Sequence, residues 1–550
     1  MLVEGKNIET PAVGTTALEL LQRVCPELAG VAVAANMDNE IHDLQNPVDG
    51  CGRLTFVRQD SQEGWEVYRR SVTFLLITAV HEMAPEAEVR VDFSANGGLF
   101  IEVLGWPGGF RAESVQAIDQ HMRAIVAERR PIVKRFLPRA EAVQLFKQSK
   151  AIEKANLIAA LGRETVSVYA CGAYTDYLYG AMLGSTESLG KFALDFFAPG
   201  LLLRTPSVAS GGEVPPAKPQ PKLSRVLQQA KRWADILHCD YVPDLNRANR
   251  GGKIGDIIRV SEALQEKSIA QIADHIAEKA DDLRLILIAG PSSSGKTSFA
   301  QRLRIQLRVN GLEPVAISLD DYFRNRVDTP RTPEGAYDYE ALEALDVPLF
   351  NEQMVQLLRG EEVELPYYNF LTGEREWGHY APFSIAPNQP IIIEGIHGLN
   401  EKLSAAIPRK NKYKIYISAL TQLNVDAHNR IPTTSARLVR RLVRDYQFRG
   451  SSALKTLRQW PDVRKGEEAH IFPFQEEADV MFNSALIYEL GVLRKYAKPL
   501  LEAVPAEAPE HVMARKLLDF CAYFDDITAE DEIPNNSLLR EFIGKSVFFK

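Results

Sequence analysis

The sequence predicts an α/β domain in its second half, a parallel sheet flanked by helices, preceded by two smaller modules of mixed helix and strand. Three observations carry this. Apolar runs alternate with helical or loop sequence after residue 284, a glycine-rich turn closes the first run, and a proline- and glycine-rich seam stands ahead of them. Alternation of this kind is what a parallel sheet with covered faces requires. At 550 residues the chain exceeds what one ordinary core organises, and three domains are expected.

The seam is PSVASGGEVPPAKPQPK, residues 206–222, which reads as an exposed linker. Strands are expected at 285–289, 314–319, 390–393 and 414–418, with a fifth at 500–504 after the helical stretch ALIYELGVLRKYAK. Phe299, Leu303 and Leu307 recur at helical spacing until Asn310-Gly311 ends the helix. The α/β domain is expected over 223–505. Residues 506–550, helical around HVMARKLLDFCAYF and then polar, are read as packing.

Composition narrows the class. A net charge of -8 argues against wholesale coating of nucleic acid and leaves room for a local basic patch. The five cysteines, Cys25, Cys51, Cys171, Cys239 and Cys521, are scattered and never form C-x-x-C, which suits a reducing compartment. The start, MLVEGKNIETP, lacks a basic n-region and an apolar h-region, and no run approaches a membrane span. A cytoplasmic enzyme is expected, with no membrane partner.

The chemistry begins at LILIAGPSSSGKTSF. Gly290, Gly295, Lys296 and Thr297 complete G-x-x-x-x-G-K-T directly after an apolar strand, with Ser292, Ser293, Ser294 and Ser298 around them. Glycines let backbone N–H groups close on phosphate oxygens, the lysine reaches the β and γ oxygens, and the threonine hydroxyl can ligate Mg²⁺. ATP and Mg²⁺ are the expected cofactors. The second strand ends in SLDDYF, placing Asp320 and Asp321 at the sheet's carboxyl edge, where ligands bind in such sheets. Asp320 is the expected general base, since phosphoryl transfer to a hydroxyl needs a carboxylate to take its proton. Asp321 is the alternative.

The third strand ends at Glu394, the expected outer partner of the metal, and His397 nearby is read as structural. In ARLVRRLVRDYQFRG, Arg437, Arg440, Arg441 and Arg444 fall on one helix face, with Arg449 beyond. Such a face repels itself unless an anion or carboxylates lie opposite; a lid over ATP phosphates fits it, with a nucleic-acid face and a solvated face with salt bridges as the competing readings.

Taken together, residues 285–504 resemble the uridine kinase and phosphoribulokinase family. The likeness comprises the phosphate turn, SLDDYF, YDYE, PYYNF, IIIEG, RLVRRLVRD followed by RG, and FPFQEEADVMF with Asp479, in family order. It implies that Asp320 deprotonates an acceptor 5′-hydroxyl, that Glu394 helps hold Mg²⁺, and that Arg441, Arg444 and Arg449 belong to the lid. Asp338, Tyr368, Arg375 and Gln459 are the expected acceptor contacts. Two departures concern the acceptor: Asn369 and Gly373 stand where pyrimidine-specific members carry aspartate and histidine, and Ser451 and Ser452 follow Gly450 where an arginine is usual.

Residues 1–62 resemble the β-grasp (TGS) domain that opens threonyl-tRNA synthetases, in TPAVGTTALELLQ and VAVAANMDNEIHDLQNPV. Residues 63–205 resemble their α+β editing-type domain. That domain's two helical histidines are replaced by Arg70 and Phe74, while Cys171 is kept and Tyr174 or Thr175 stands near the later histidine. Neither guanidinium nor phenyl binds zinc, so metal-dependent editing is not expected, and Cys171 is read as a buried small hydrophobe.

The expected function is an ATP- and Mg²⁺-dependent kinase acting on a sugar hydroxyl, foremost the 5′-hydroxyl of a nucleoside. The alternatives are a sugar-phosphate kinase and an RNA-associated ATPase switch. The front half is expected to bind RNA or a regulatory ligand, or to order a homo-oligomer.

Overall fold

The structure, a computed structural model, describes residues 1–331, 335, 337–421 and 423–549. The first module holds β1 (Leu2–Val3), β2 (Lys6–Asn7), α1 (Ala17–Val24), β3 (Ala32–Met37), β4 (Glu40–His42) and β5 (Arg53–Arg58). Its sheet runs β2-β1-β5-β3-β4, and α1 packs on it through Ala17, Leu20 and Leu21. Thr16 and Glu19 form a reciprocal capping box that starts α1.

The second module holds α2 (Gln62–Met83), β6 (Glu88–Ala95), β7 (Gly98–Leu104), α3 (Ala112–Ala127), β8 (Ile132–Pro138), α4 (Arg139–Gln148) and α5 (Ile152–Ala160). β9 (Thr165–Cys171), β10 (Tyr174–Asp176), β11 (Ala193–Phe197) and β12 (Gly200–Arg204) complete it. Two antiparallel sheets, β11-β12-β7-β6 and β10-β9-β8, share a core with α2 and α3. Residues 206–222 are mostly exposed and contain one turn of 3-10 helix. They are tied to the β6–β7 turn, where Lys218 N–H donates to the Asn96 carbonyl at 3.1 Å and Asn96 N–H to Gln220 Oε1 at 2.6 Å.

The third module opens with α6 (Pro221–Leu237), α7 (Val242–Arg250) and α8 (Ile254–Ala277). There follow β13 (Leu285–Ala289), α9 (Lys296–Val309), β14 (Val315–Ser318), α10 (Val347–Leu358), β15 (Tyr367–Asn369), β16 (Glu374–Glu376), β17 (Ile391–Glu394) and β18 (Lys412–Ser418). α11 (Thr433–Arg449), α12 (Ala453–His470), β19 (Val480–Asn483), α13 (Glu489–Glu502), α14 (His511–Cys521) and α15 (Arg540–Ile543) end the chain. The central sheet runs β14-β17-β13-β18-β19, parallel throughout. β13 is buried at every position, which explains its continuous rather than alternating apolar character; β18 is equally buried and pairs its Lys412 and Lys414 with Glu401.

The fifth strand is not at 500–504. Leu490, Leu493, Ala497 and Leu501 recur every three to four residues and all are buried, so the helical face of α13 runs through Pro499 to Glu502. The edge strand is instead β19, four residues long, paired in register Ile415↔Val480. A run that short gives periodicity nothing to count.

Residues 423–431, between β18 and α11, dock on the second module. Val91 N–H donates to the Ala427 carbonyl at 2.8 Å, Tyr179 N–H to Asn429 Oδ1 at 2.9 Å, and Asn429 Nδ2 to the Tyr177 carbonyl at 3.0 Å. A buried ionic cluster sits in the same interface. Lys154 pairs with Asp176, His428 Nδ1 lies 2.6 Å from Asp176 Oδ2, and Asp426 is 3.9 Å from Lys154.

Candidate functional site

Strand register assembles the site. In the parallel ladder Ile288 and Ser318 both pair with Glu394, so β13, β14 and β17 reach the same carboxyl edge together. The turn 290–295, Asp320 and Glu394 converge there as a consequence.

The turn's first glycine is sterically dictated: a Cβ at Gly290 would stand 2.0 Å from the Ile417 carbonyl oxygen. Gly295 is left-handed at φ +82, and so is Ser293 at +58. The hydroxyls of Ser293 and Ser294, residues 3% and 0% exposed, are buried with no hydrogen-bond partner among the described residues. Buried hydroxyls without a partner, in a turn that leads into the N-terminus of α9, are what a phosphate group satisfies. Lys296 Nζ folds onto the turn, donating to the Gly290 carbonyl at 2.9 Å and the Pro291 carbonyl at 3.2 Å. Burial pushes its pKa down, with Glu394 and Glu541 pulling it back up. Thr297 Oγ1 donates to Glu394 Oε1 at 2.9 Å. Burial pushes the Glu394 carboxyl up, opposed by Lys296.

Asp320 and Asp321 have separate surroundings. Asp321 accepts from Tyr368 N–H at 3.4 Å and from the Tyr380 hydroxyl at 3.5 Å, which ties it to the β15–β16 hairpin. The Asp320 side chain is solvent-accessible, and no described residue hydrogen-bonds its carboxylate. The protein crowding around it raises its pKa above the usual carboxylate range, opposed first by Lys296 and then by Arg449.

The arginine face of α11 divides in two. Arg437 and Arg440, 1% and 0% exposed, lie behind the turn: Arg437 pairs with Glu467 and bonds the Ser292 carbonyl at 3.1 Å, and Arg440 forms a bidentate pair with Glu489. Carboxylates therefore stand opposite these two cations. Arg441 reaches the turn itself, donating to Ser292 Oγ at 2.7 Å. Arg444 pairs with Asp445 at 2.7 Å, and Arg449 is exposed, 3.8 Å from the same aspartate.

The acceptor candidates occupy a rim. Tyr368 is buried among rings, 5.4 Å from Phe323 and 5.0 Å from Phe370. Asp338 is half-buried and accepts from Glu340 N–H at 3.1 Å. Arg375 is committed to protein partners, the Asp346 carboxylate at 2.9 Å and the Tyr322 and Phe323 carbonyls. Gln459 is exposed on α12. The place of a side chain at 373 is filled by Arg326, whose guanidinium carbon would lie 2.6 Å from a Cβ there. His397 is buried, and burial pushes its pKa down to about 4.

In the second module, Phe74 and Cys171 are buried in the core, and burial raises the Cys171 thiol pKa. Tyr174 packs on Phe74 and His81, Thr175 pairs with Ala170, and Arg70 donates to the Ala181 carbonyl. No group of three or more metal-ligating side chains occurs among the described residues.

Sequence reasoning missed three residues that touch the site. Glu467 accepts from Ser292 N–H at 2.9 Å, Glu541 accepts from Ser298, and Arg326 covers Gly373. None falls at a spacing that marks it; each arrives by tertiary contact.

A parallel sheet bearing G-x-x-x-x-G-K-T between strand and helix, with a strand-end acid on the threonine, defines a P-loop nucleotide-binding domain. Residues 285–487 match the Phosphoribulokinase / Uridine kinase family, and this part of the chain is a domain of that family. The front of the chain is homologous to threonyl-tRNA synthetases. The threonine–tRNA ligase of Acidithiobacillus ferrooxidans (strain ATCC 53993 / BNL-5-31) is 34% identical over 180 residues, 32% of this chain and 28% of the ligase. The chain thus spans little more than a quarter of the curated relatives it matches. Among solved structures, a possible uridine kinase from Bacillus stearothermophilus is 21% identical with a TM-score of 0.24, over 36% of this chain and 89% of that one. A phosphoribulokinase from Rhodobacter spheroides is 16% identical with a TM-score of 0.23, over 37% and 70%.

Proposed function

We propose that the protein is an ATP- and Mg²⁺-dependent kinase that transfers the γ-phosphoryl group to a sugar hydroxyl, foremost the 5′-hydroxyl of a nucleoside. The observation that carries this is the Asp320 carboxylate, without a hydrogen-bond partner among the described residues, at a strand end beside Lys296. A raised, solvent-reachable carboxylate is suited to accept the proton of an attacking hydroxyl. A nucleotide switch has only water to orient and gains little from such a base.

The residues divide the work. The turn 290–298 holds the phosphates, while Lys296, Arg441, Arg444 and Arg449 offset the charge that develops on the transferring group. Asp320 takes the proton as the acceptor oxygen attacks in line. Thr297 and Glu394 would hold Mg²⁺, which when bound would supply positive charge to offset that of the phosphates. Asp338, Tyr368 and Gln459 stand as acceptor contacts by family likeness, whereas Arg375 is held by Asp346 and the Tyr322 and Phe323 carbonyls. The rings of Phe323, Tyr339, Tyr368 and Phe370 form an aromatic wall that favours a planar base beside the sugar.

A second reading, a kinase for a phosphorylated sugar, is favoured by Arg326. It makes no ion pair among the described residues and could meet an acceptor phosphate. The deciding experiment is ATP consumption against nucleosides and sugar phosphates, with mass spectrometry of the product. A nucleoside monophosphate supports the first reading and a sugar bisphosphate the second. RNA-stimulated hydrolysis without a phosphorylated small molecule would overturn both and turn attention to the synthetase-like front half.

A further inference from the structure

The C-terminal tail, expected to serve packing alone, delivers a carboxylate to the phosphate turn. Leu538, Leu539 and Phe542 are fully buried, and Phe542 lies under the Arg440 guanidinium at 5.0 Å. Leu538 also closes on the turn, 3.5 Å from the point a Cβ on Gly295 would occupy. Seated in this way, α15 brings Glu541 to the start of α9. Its Oε2 accepts from the Ser298 hydroxyl at 2.7 Å and from the Ser298 N–H at 3.3 Å. Gly295 caps α9 and the first intrahelical bond runs from Phe299 N–H to its carbonyl, so Ser298 supplies the fourth of the helix's free N–H donors. These donors are what a phosphate turn offers its ligand.

We propose that Glu541 is a resident anion that occupies part of the phosphate site in the nucleotide-free protein and must leave Ser298 when ATP binds, so that the C-terminal tail sets nucleotide affinity. This rests on the nucleotide-site reading above. The sign follows from charge. ATP brings several negative charges to the same helix start, and like charges a few ångströms apart repel strongly within a protein. Moving the carboxylate aside lowers the apparent affinity by the fraction of time it spends on Ser298. No unfolding is needed, because buried neighbours fix α15 while the half-buried Glu541 side chain can turn on its own bonds. Arg449, exposed at the end of α11, lies within electrostatic reach of Glu541 as well as of Asp445.

The test is equilibrium binding of a fluorescent ATP analogue to the full-length protein without acceptor, for wild type, Glu541→Gln and Glu541→Asp. Glutamine keeps the shape and one acceptor oxygen but drops the charge, and binding is expected to tighten about tenfold or more. Aspartate keeps the charge but draws it back from Ser298, so a smaller tightening is expected and serves if the glutamine variant does not fold. Wild type that binds ATP while the folded variants bind equally or more weakly would overturn the resident-anion proposal and leave the nucleotide site standing. Wild type that binds no ATP, with Lys296→Ala indistinguishable from it, would overturn the nucleotide site and this proposal together.

Discussion

The Thr297 hydroxyl donates to Glu394 Oε1 at 2.9 Å, joining the first turn of α9 to the last residue of β17. The two groups expected to face Mg²⁺ are thereby held by each other. Glu394→Gln removes the charge and keeps the shape. The Mg²⁺ concentration giving half-maximal activity is expected to rise about 10–100-fold, read from a metal titration at saturating ATP.

Asp320→Asn is expected to lower kcat by about 10²–10⁴-fold while sparing ATP affinity. Retained kcat would remove Asp320 from the base role and leave Asp321 to be tested in the same way.

If Asp320 is the base, its raised pKa is expected to set the acid limb of the pH profile. The base works only when ionised, so kcat should fall as pH drops through a value above the ordinary carboxylate range, about 3.9 for aspartate. A limb at or below that value would show that the group controlling it is not crowded as Asp320 is.

Arg440 and Glu489 are a buried pair, and removing one partner strands the other's charge. Glu489→Gln is expected to cost about 3–5 kcal/mol in urea unfolding, whereas replacing both by leucine should restore much of the loss. An activity change without a stability change would instead place Arg440 in the lid.

Asp176 gives a second pH signature, in stability. Burial opposes its ionisation, but Lys154 and then His428 outweigh this and hold its carboxyl well below the usual range. The stabilisation is therefore present above the unfolded value, about 3.9, and is lost progressively as pH falls below it. Asp176→Asn should lower stability by about 3–5 kcal/mol at neutral pH and flatten that acid-side decline.

What could be read from the sequence follows from how each feature is encoded. β13, β14 and β17 are short apolar runs, β18 holds the apolar stretch 415–417 after two lysines, and the phosphate turn is contiguous, so strand and motif identify themselves. Helical spacing puts Arg437, Arg440, Arg441 and Arg444 on a single face of α11, yet spacing is silent about what lies opposite. Glu467 and Glu489, thirty and forty-nine residues from their partners Arg437 and Arg440, decided that two of the four are structural. Glu541, 243 residues from Ser298, is beyond any local pattern. The edge strand was misplaced because four residues of β19 carry less signal than the long apolar face of α13.

The docking of residues 423–431 on the second module has a consequence for cutting the chain. A break within 206–222 would not release two finished pieces. The back piece would bare Asp426, His428 and Asn429 to water, and the front piece would keep Lys154 and Asp176 stripped of a neighbour each had in the whole. Val91 and Tyr179 would likewise lose the acceptors for their amides. Each half therefore owns part of the other's surface, and the covalent tether between them is the least of what joins them.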